Sequence, residues 1–425
     1  MAELTLASLD TLDWLINGLV LAGTVAVLVV LWRPAMRKSR TWRGTVTPLA
    51  SIIGSGFLVV APLMAHAVGN WALAAMLGIV GLAYAVGAAV RYNILNVESI
   101  SESQDGRATP ERLLVWLERA AKVVLALAYV IAITFYLELL AAFLLQMFSV
   151  QHQILQKAIA TALVAFIGGF GYLRGLARLE SLEKYSVDTK LAIIAGFLVG
   201  LVALNLHRLA AGTWSLPVLG VAWNMETLRK LMGAFLIVQG FETSRYMGNV
   251  YKAAERAATM RYAQLISAAI YLIFIGLASV LFGSFGSVSE TGIITLSAEV
   301  AVVMPFLLVL GAATAQFSAA VADTLASGGM VEAATRGRVG HRQVYLAVMV
   351  LALVLLWTSH IFEIIAYASR AFAAYYAIQC AMAAWHSALT AAGWRRFTRT
   401  LLFASLATVM VLTAIYGIPA ESVAG

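Results

Sequence analysis

The sequence predicts an all-α polytopic membrane protein of about 12 transmembrane helices, arranged as two inverted five-helix repeats with interruptions in two of the helices. Three observations lead there: a composition too apolar for a water-soluble domain, basic residues gathered in alternate connections, and glycine breaks that recur at a fixed offset. Of 425 residues, 62% are hydrophobic and only 12% are charged, with a mean hydropathy of +0.88. A soluble chain of this size has no interior large enough for so much apolar surface, whereas a bilayer accommodates it.

Apolar runs cover residues 13–33, 47–69, 71–90, 120–147, 156–173, 189–206, 228–248, 261–282, 298–325, 343–359, 361–384 and 399–417. Most approach the roughly 20 residues a helix needs to cross the hydrocarbon core. If every run spans, the connections after odd-numbered helices share one side. That side holds 24 of the 29 basic residues, beginning with five between Arg33 and Arg43 and ending with Arg395, Arg396 and Arg399. Opposite lie Lys157, Arg208, Arg229 and Lys230, with Arg370 inside a helix. By the positive-inside rule the basic side is cytoplasmic and both termini face outward, which suits a prokaryotic inner (plasma) membrane. The net charge of +8 is therefore an orientation signal, and lipid rather than nucleic acid is the expected surroundings.

Several function classes drop out. A single cysteine, Cys380, excludes an internal disulfide and any Cys-based zinc or iron–sulfur centre. The six histidines lack HExxH-type spacing, so no cofactor is expected. No nucleotide-binding GxxxxGK[ST] segment occurs, and the largest cytoplasmic connection, roughly Arg91 to Arg119, is too short for a catalytic domain. It reads as a polar turn and then a helix start at TPER, with Thr109 as cap and Pro110 at the first helical position. An enzyme is not expected. The N-terminal MAELTLASLD has no basic n-region or small-residue cleavage site, so the first helix is expected to be retained.

The stretch TPLASIIGSGFLVVAPLMAHAVGN, from Thr47, places Gly-Ser-Gly and Pro62 inside a spanning segment. Glycine costs roughly 1 kcal/mol of helix propensity against alanine, and proline removes a backbone donor. Helix seven, METLRKLMGAFLIVQGFETSRYMG, is interrupted likewise at Gly240. Ser55 and Gly240 are 185 residues apart, as are Glu138 and Asp323. An odd number of helices per repeat inverts the second copy, the construction by which many secondary transporters alternate access. Breaks near mid-membrane free backbone N–H and C=O groups that hydrocarbon cannot satisfy. Half-helix N-termini attract an anionic group and freed carbonyls attract a cation, so a zwitterion such as an amino acid would satisfy both.

On IIGSGFLVVAP (Ile52–Pro62) and FLIVQGFETSRYMG (Phe235–Gly248) the chain resembles the amino acid–polyamine–organocation (APC) superfamily of secondary transporters. The resemblance implies that helices two to eleven are core helices one to ten, with core helices one and six discontinuous and the substrate between them. Residues 1–46 would form an extra helix and basic loop, 47–206 and 207–384 the two repeats, and 385–425 a peripheral helix. Backbone groups of Ile53, Gly54, Ser55 and Gly56 would hold a carboxylate-like group. Gln239, Gly240, Phe241 and Glu242 would lie beside the amino end or side chain, with Phe241 as a lid. Thr243, Ser244 and Arg245 depart from the further acidic residues of many members, and one helix follows the core where two are usual.

Lys190, in YSVDTKLAIIAGFLVG, resembles the helix-five lysine of proton-coupled members, whose ammonium stands where sodium-coupled relatives bind their ion. Protonation of a lysine in a low-dielectric cavity can respond to opening and closing; the competing reading is a lysine that snorkels to the cytoplasmic face. Glu138 is a second coupling candidate, or else accepts from Arg370. Asp323, with Ser318 and Thr314 on one helix face, is a third, and Ser318 is the residue to watch if sodium drives transport. The coupling ion expected is H+ ahead of Na+. The function expected is secondary active transport, by symport or exchange, of an amino acid or similar small organic solute; the alternative is a potassium or other metal cation transporter or channel of the same fold.

Overall fold

A computed structural model describes residues 11–102, 109–176, 183–220, 223–285, 289–390 and 392–418. The polar turn at 103–108 and Arg178 therefore lie outside the described residues, as does the side chain of Ser55. The described chain is helical, with no strand, and ten of its helical stretches are long and apolar enough to cross a membrane. Ten stretches and twelve apolar runs are reconciled at two places. The second and third runs are one continuous stretch, 56–96, and the seventh contains no single helix long enough to count.

Helix α1 (Thr11–Trp32) precedes a short α2 (Pro34–Lys38) and α3 (Arg40–Ile52). Next come α4 (Ser55–Val68), α5 (Ala72–Asn96), α6 (Glu98–Glu102), α7 (Thr109–Met147), α8 (Gln153–Arg174) and α9 (Glu183–Ala210). The second half contains α10 (Met225–Gly233), two 3₁₀ turns at Phe235–Val238 and Phe241–Tyr246, and α11 (Ala253–Ala278). It continues with α12 (Gly292–Val300), α13 (Met304–Ala334), α14 (His341–Thr358), α15 (Ile361–Thr390) and α16 (Gly393–Tyr416).

The centre of the bundle is α7, which packs on α13 and α15. Its most apolar window is 78% buried, against 22% for α1 and for α16. The outer helices present Leu15, Val25, Val29, Leu401 and Leu402 outward, a surface made for lipid chains. Helix α1 seats on α9 through close approach of small residues: a Cβ at Gly200 would lie 2.7 Å from Val20, and one at Gly196 would overlap Thr24 and lie 2.8 Å from the Val20 carbonyl oxygen. Gly196→Leu is expected to release α1 from the bundle, seen as a new protease-sensitive site near residue 33 in the detergent-solubilised protein. An unchanged digestion pattern would mean that α1 is held elsewhere.

Candidate functional site

Both glycine-marked segments are interrupted, at positions adjacent in space. The α3 helix ends at Ile53 (φ −87°, ψ 54°), and Gly54 (φ −91°, ψ −137°) turns the chain into α4. The second break centres on Gly240, whose φ of +116° is open to glycine and strained for other residues. A Cβ there would lie 2.6 Å from the backbone carbon of Ser51, and one at Gly56 would lie 2.6 Å from the carbonyl oxygen of Ile237. The two breaks therefore touch backbone to backbone, which the missing side chains permit.

Side chains answer many of the freed backbone groups. Lys190 Nζ donates to the Ala50 carbonyl (2.7 Å). The Tyr271 hydroxyl sits 2.9 Å from the Ile52 carbonyl and 2.7 Å from that of Ile237, bridging both breaks. Ser369 Oγ donates to the Gly233 carbonyl (2.5 Å) and Thr243 Oγ1 to that of Gly240 (2.8 Å). The Gly240 N–H donates to Glu242 Oε2 (2.9 Å), and Tyr376 donates to the same oxygen. In hydrocarbon each such group would cost several kcal/mol if left bare.

Beside the breaks opens a cavity of about 630 Å³. It runs from Gly54 toward the basic end of the molecule, where Lys122, Asn249 and Ala333 form its mouth. Tyr129 and Tyr136, seven residues apart and thus on one face of α7, make one wall with Lys122. The facing wall is α13, with Ala315, Ser318, Ala322 and Asp323; Lys190 and Ser186 close a third side from α9. Tyr136 lies beside Asp323 and Gln239, and Tyr129 beside Glu242.

The sequence candidates are thus distributed. Gly54, Lys190, Ser318 and Asp323 line this one cavity. Ile53, Gly56, Gln239 and Gly240 sit in the packed junction behind it. Phe241 is fully buried, stacked on Tyr376 at 4.8 Å, so it is not a lid over the cavity in this conformation. Glu242 is completely buried and serves the backbone of its own break. Glu138 lies elsewhere, in a separate vestibule. Nor does it accept from Arg370, whose Nε donates to the Ala414 carbonyl at 2.7 Å; α16 packs against α15 there and offers that carbonyl. His66 Nδ1 pairs with the Pro62 carbonyl (2.9 Å), one turn back on the same helix.

Sequence reasoning did not find Tyr129, Tyr136 or Tyr271, nor the role of Arg245. Arg245 donates to Glu118 Oε2 of α7 (2.8 Å) and to Gln379 of α15 (2.5 Å), and its carbonyl accepts from Arg256 (2.5 Å). Arg256 pairs in turn with Glu98 (2.9 Å). Seven-residue spacing of Lys122, Tyr129 and Tyr136 was the one available signal for the α7 wall.

A family model described as an APC superfamily transporter matches residues 34–417. The chain belongs to that superfamily. An uncharacterised protein of Aquifex aeolicus (strain VF5) is 40% identical over 408 residues, 95% of this chain and 97% of that one. Among solved structures, two mutants of the Eremococcus coleocola manganese transporter superpose with a TM-score of 0.57 at 12% identity, covering 89% of each chain. The same transporter with an aromatic bis-isothiourea compound gives 0.55 at 12%, covering 90% of this chain and 88% of that one. At this identity the likeness is one of fold. The protein is an integral membrane transporter of the APC type.

Proposed function

We propose that this superfamily member is a proton-coupled secondary transporter, by symport or exchange, of an amino acid or similar small organic solute. It would sit in a prokaryotic inner membrane with its basic end cytoplasmic and both termini outward. Residues 47–206 and 207–384 would be its two repeats, preceded by an extra helix and followed by a peripheral one. The observation that carries the proton assignment is Lys190: its ammonium is bound to a carbonyl freed by the first break and lines the cavity together with Ser318. Losing the proton weakens that hydrogen bond and loosens the break, so protonation and cavity shape are linked. A sodium ion in the same place would meet a fixed positive charge. Asp323 and Ser318, which line the same cavity, complete the coupling set, and the backbone and side chains of residues 53–56 and 239–242 shape the substrate end.

One observation favours a second reading, a metal cation as cargo: three solved structures of similar fold are of a manganese transporter by name. Against it, no group of three or more His, Cys, Asp or Glu side chains able to hold a metal occurs among the described residues.

The test is uptake by purified protein in liposomes, with a labelled amino-acid panel and separately imposed proton, sodium and potassium gradients. Proton-driven uptake of one compound, reduced at least tenfold in Lys190→Ala, is the expected result. Manganese or potassium flux with no amino-acid uptake overturns the substrate, and uptake driven by sodium in both proteins overturns the coupling ion.

A further inference from the structure

A second vestibule, about 700 Å³, opens at the end of the molecule opposite the basic one. It lies between the C-terminal part of α7, the connection to α8, the segment leading into α12, and the start of α15. Glu138 lines it at only 3% exposure, and its Oε2 is buried with no hydrogen-bond partner. A bare carboxylate oxygen in low dielectric is costly, and a positive ligand removes the cost.

The surrounding charges choose the sign of that ligand. Glu290 is the second carboxylate of the vestibule, and the described residues that line it include no lysine or arginine. Lys157, on α8, acts on Glu138 through space, but its Nζ is engaged by the Ser359 carbonyl (3.1 Å). Glu363 accepts the His360 N–H (2.9 Å). His152 Nδ1 accepts the Leu155 N–H (3.2 Å), and His360 Nδ1 sits 3.3 Å from Gln153 Nε2. Lys157 keeps its charge but stands outside the lining, whose two charged groups among the described residues, Glu138 and Glu290, are both acidic.

The chemistry also separates an organic cation from a bare metal ion. The lining combines the buried Glu138 carboxylate with neutral acceptors such as Gln146, Ser289 and Thr291, a donor-poor surface that suits an ammonium and its three N–H groups. A dehydrated divalent ion would want several charged ligands at about 2 Å, and the cavity is many times larger than such a coordination sphere.

We propose that this vestibule is a second ligand site, distinct from the main cavity, which binds a small organic ammonium with Glu138 as its anionic anchor. The sequence offset gives the site a counterpart: Asp323, 185 residues on, lines the cavity that opens at the other end. Each aqueous entrance thus contains one acid of the pair. The site does not depend on proton coupling through Lys190, so it stands or falls separately.

The experiment is equilibrium dialysis of labelled n-butylammonium against the purified full-length protein, with n-butyrate and Mn²⁺ as competitors and no ion gradient. Saturable binding is expected, weakened at least tenfold in Glu138→Gln and insensitive to butyrate. A second variant, Ser289→Cys, provides a readout independent of the folding of the first. Butylammonium should slow its modification by a charged thiosulfonate, with the native Cys380 buried and silent. Unchanged affinity in Glu138→Gln, no protection at position 289, equal competition by butyrate, or displacement by stoichiometric Mn²⁺ would each overturn the proposal. Failure here leaves the uptake experiment with Lys190→Ala unaffected.

Discussion

Arg245→Ala is expected to destabilise the protein by about 3–5 kcal/mol, the usual cost of removing one partner from a buried ion pair. Arg245 and Glu118 are both nearly solvent-free and 2.8 Å apart, and the alanine leaves the Glu118 carboxylate with Lys122, 3.9 Å away, as its cationic neighbour among the described residues. It also strips Gln379 of a donor, and Asn93 reaches the same amide oxygen at 2.9 Å. Four elements would loosen together: the 3₁₀ turn after the second break, α7, α15 and α5. Thermal denaturation in detergent should show the loss. Arg245→Lys should recover part of it, because a point charge replaces a planar fork that reaches two acceptors. Arg245→Met combined with Glu118→Leu should recover most, since apolar replacement of a buried pair is often neutral or better. A double variant as unstable as Arg245→Ala would show that the pair itself, and not the stranded carboxylate, matters.

Gly240→Ala is expected to abolish transport while leaving the protein inserted in the membrane. Holding a residue with a Cβ at φ +116° costs about 1–3 kcal/mol. The Cβ would also press on the Ser51 and Ile52 backbone, adding roughly 1–3 kcal/mol of overpacking. Relief requires the two breaks to move apart, and the Tyr271 bridge between the Ile52 and Ile237 carbonyls then opens. Gly56→Ala should act the same way from the other side, through the Ile237 backbone. Transport measured beside the amount of folded protein decides the matter: wild-type turnover in Gly240→Ala would mean that the breaks do not need to touch.

The sequence marked both breaks, because glycine and proline act on local backbone geometry and need no tertiary partner to be recognised. It also marked Lys190, Ser318 and Asp323, which line one cavity with Gly54. The alternative that paired Glu138 with Arg370 did not form, and Phe241 stacks on Tyr376 rather than over the cavity, for a common reason. A helix turns by about 100° per residue, so Tyr136 and Glu138, two residues apart, face cavities at opposite ends. No run of apolar letters around them records which face meets which cavity.

What the sequence by itself determined is everything set by solvent and by short-range backbone preference: membrane residence, the number and order of apolar runs, the side that gathers positive charge, and the points where helices break. The tertiary structure alone decided which side chains answer the freed backbone groups, and which acids meet water, arginine or tyrosine. Arg245 and Glu118 lie 127 residues apart and Lys190 and Ala50 lie 140 apart. Partners at that distance are chosen by the packing of whole helices, since a buried polar atom takes the complement that packing brings within 3 Å.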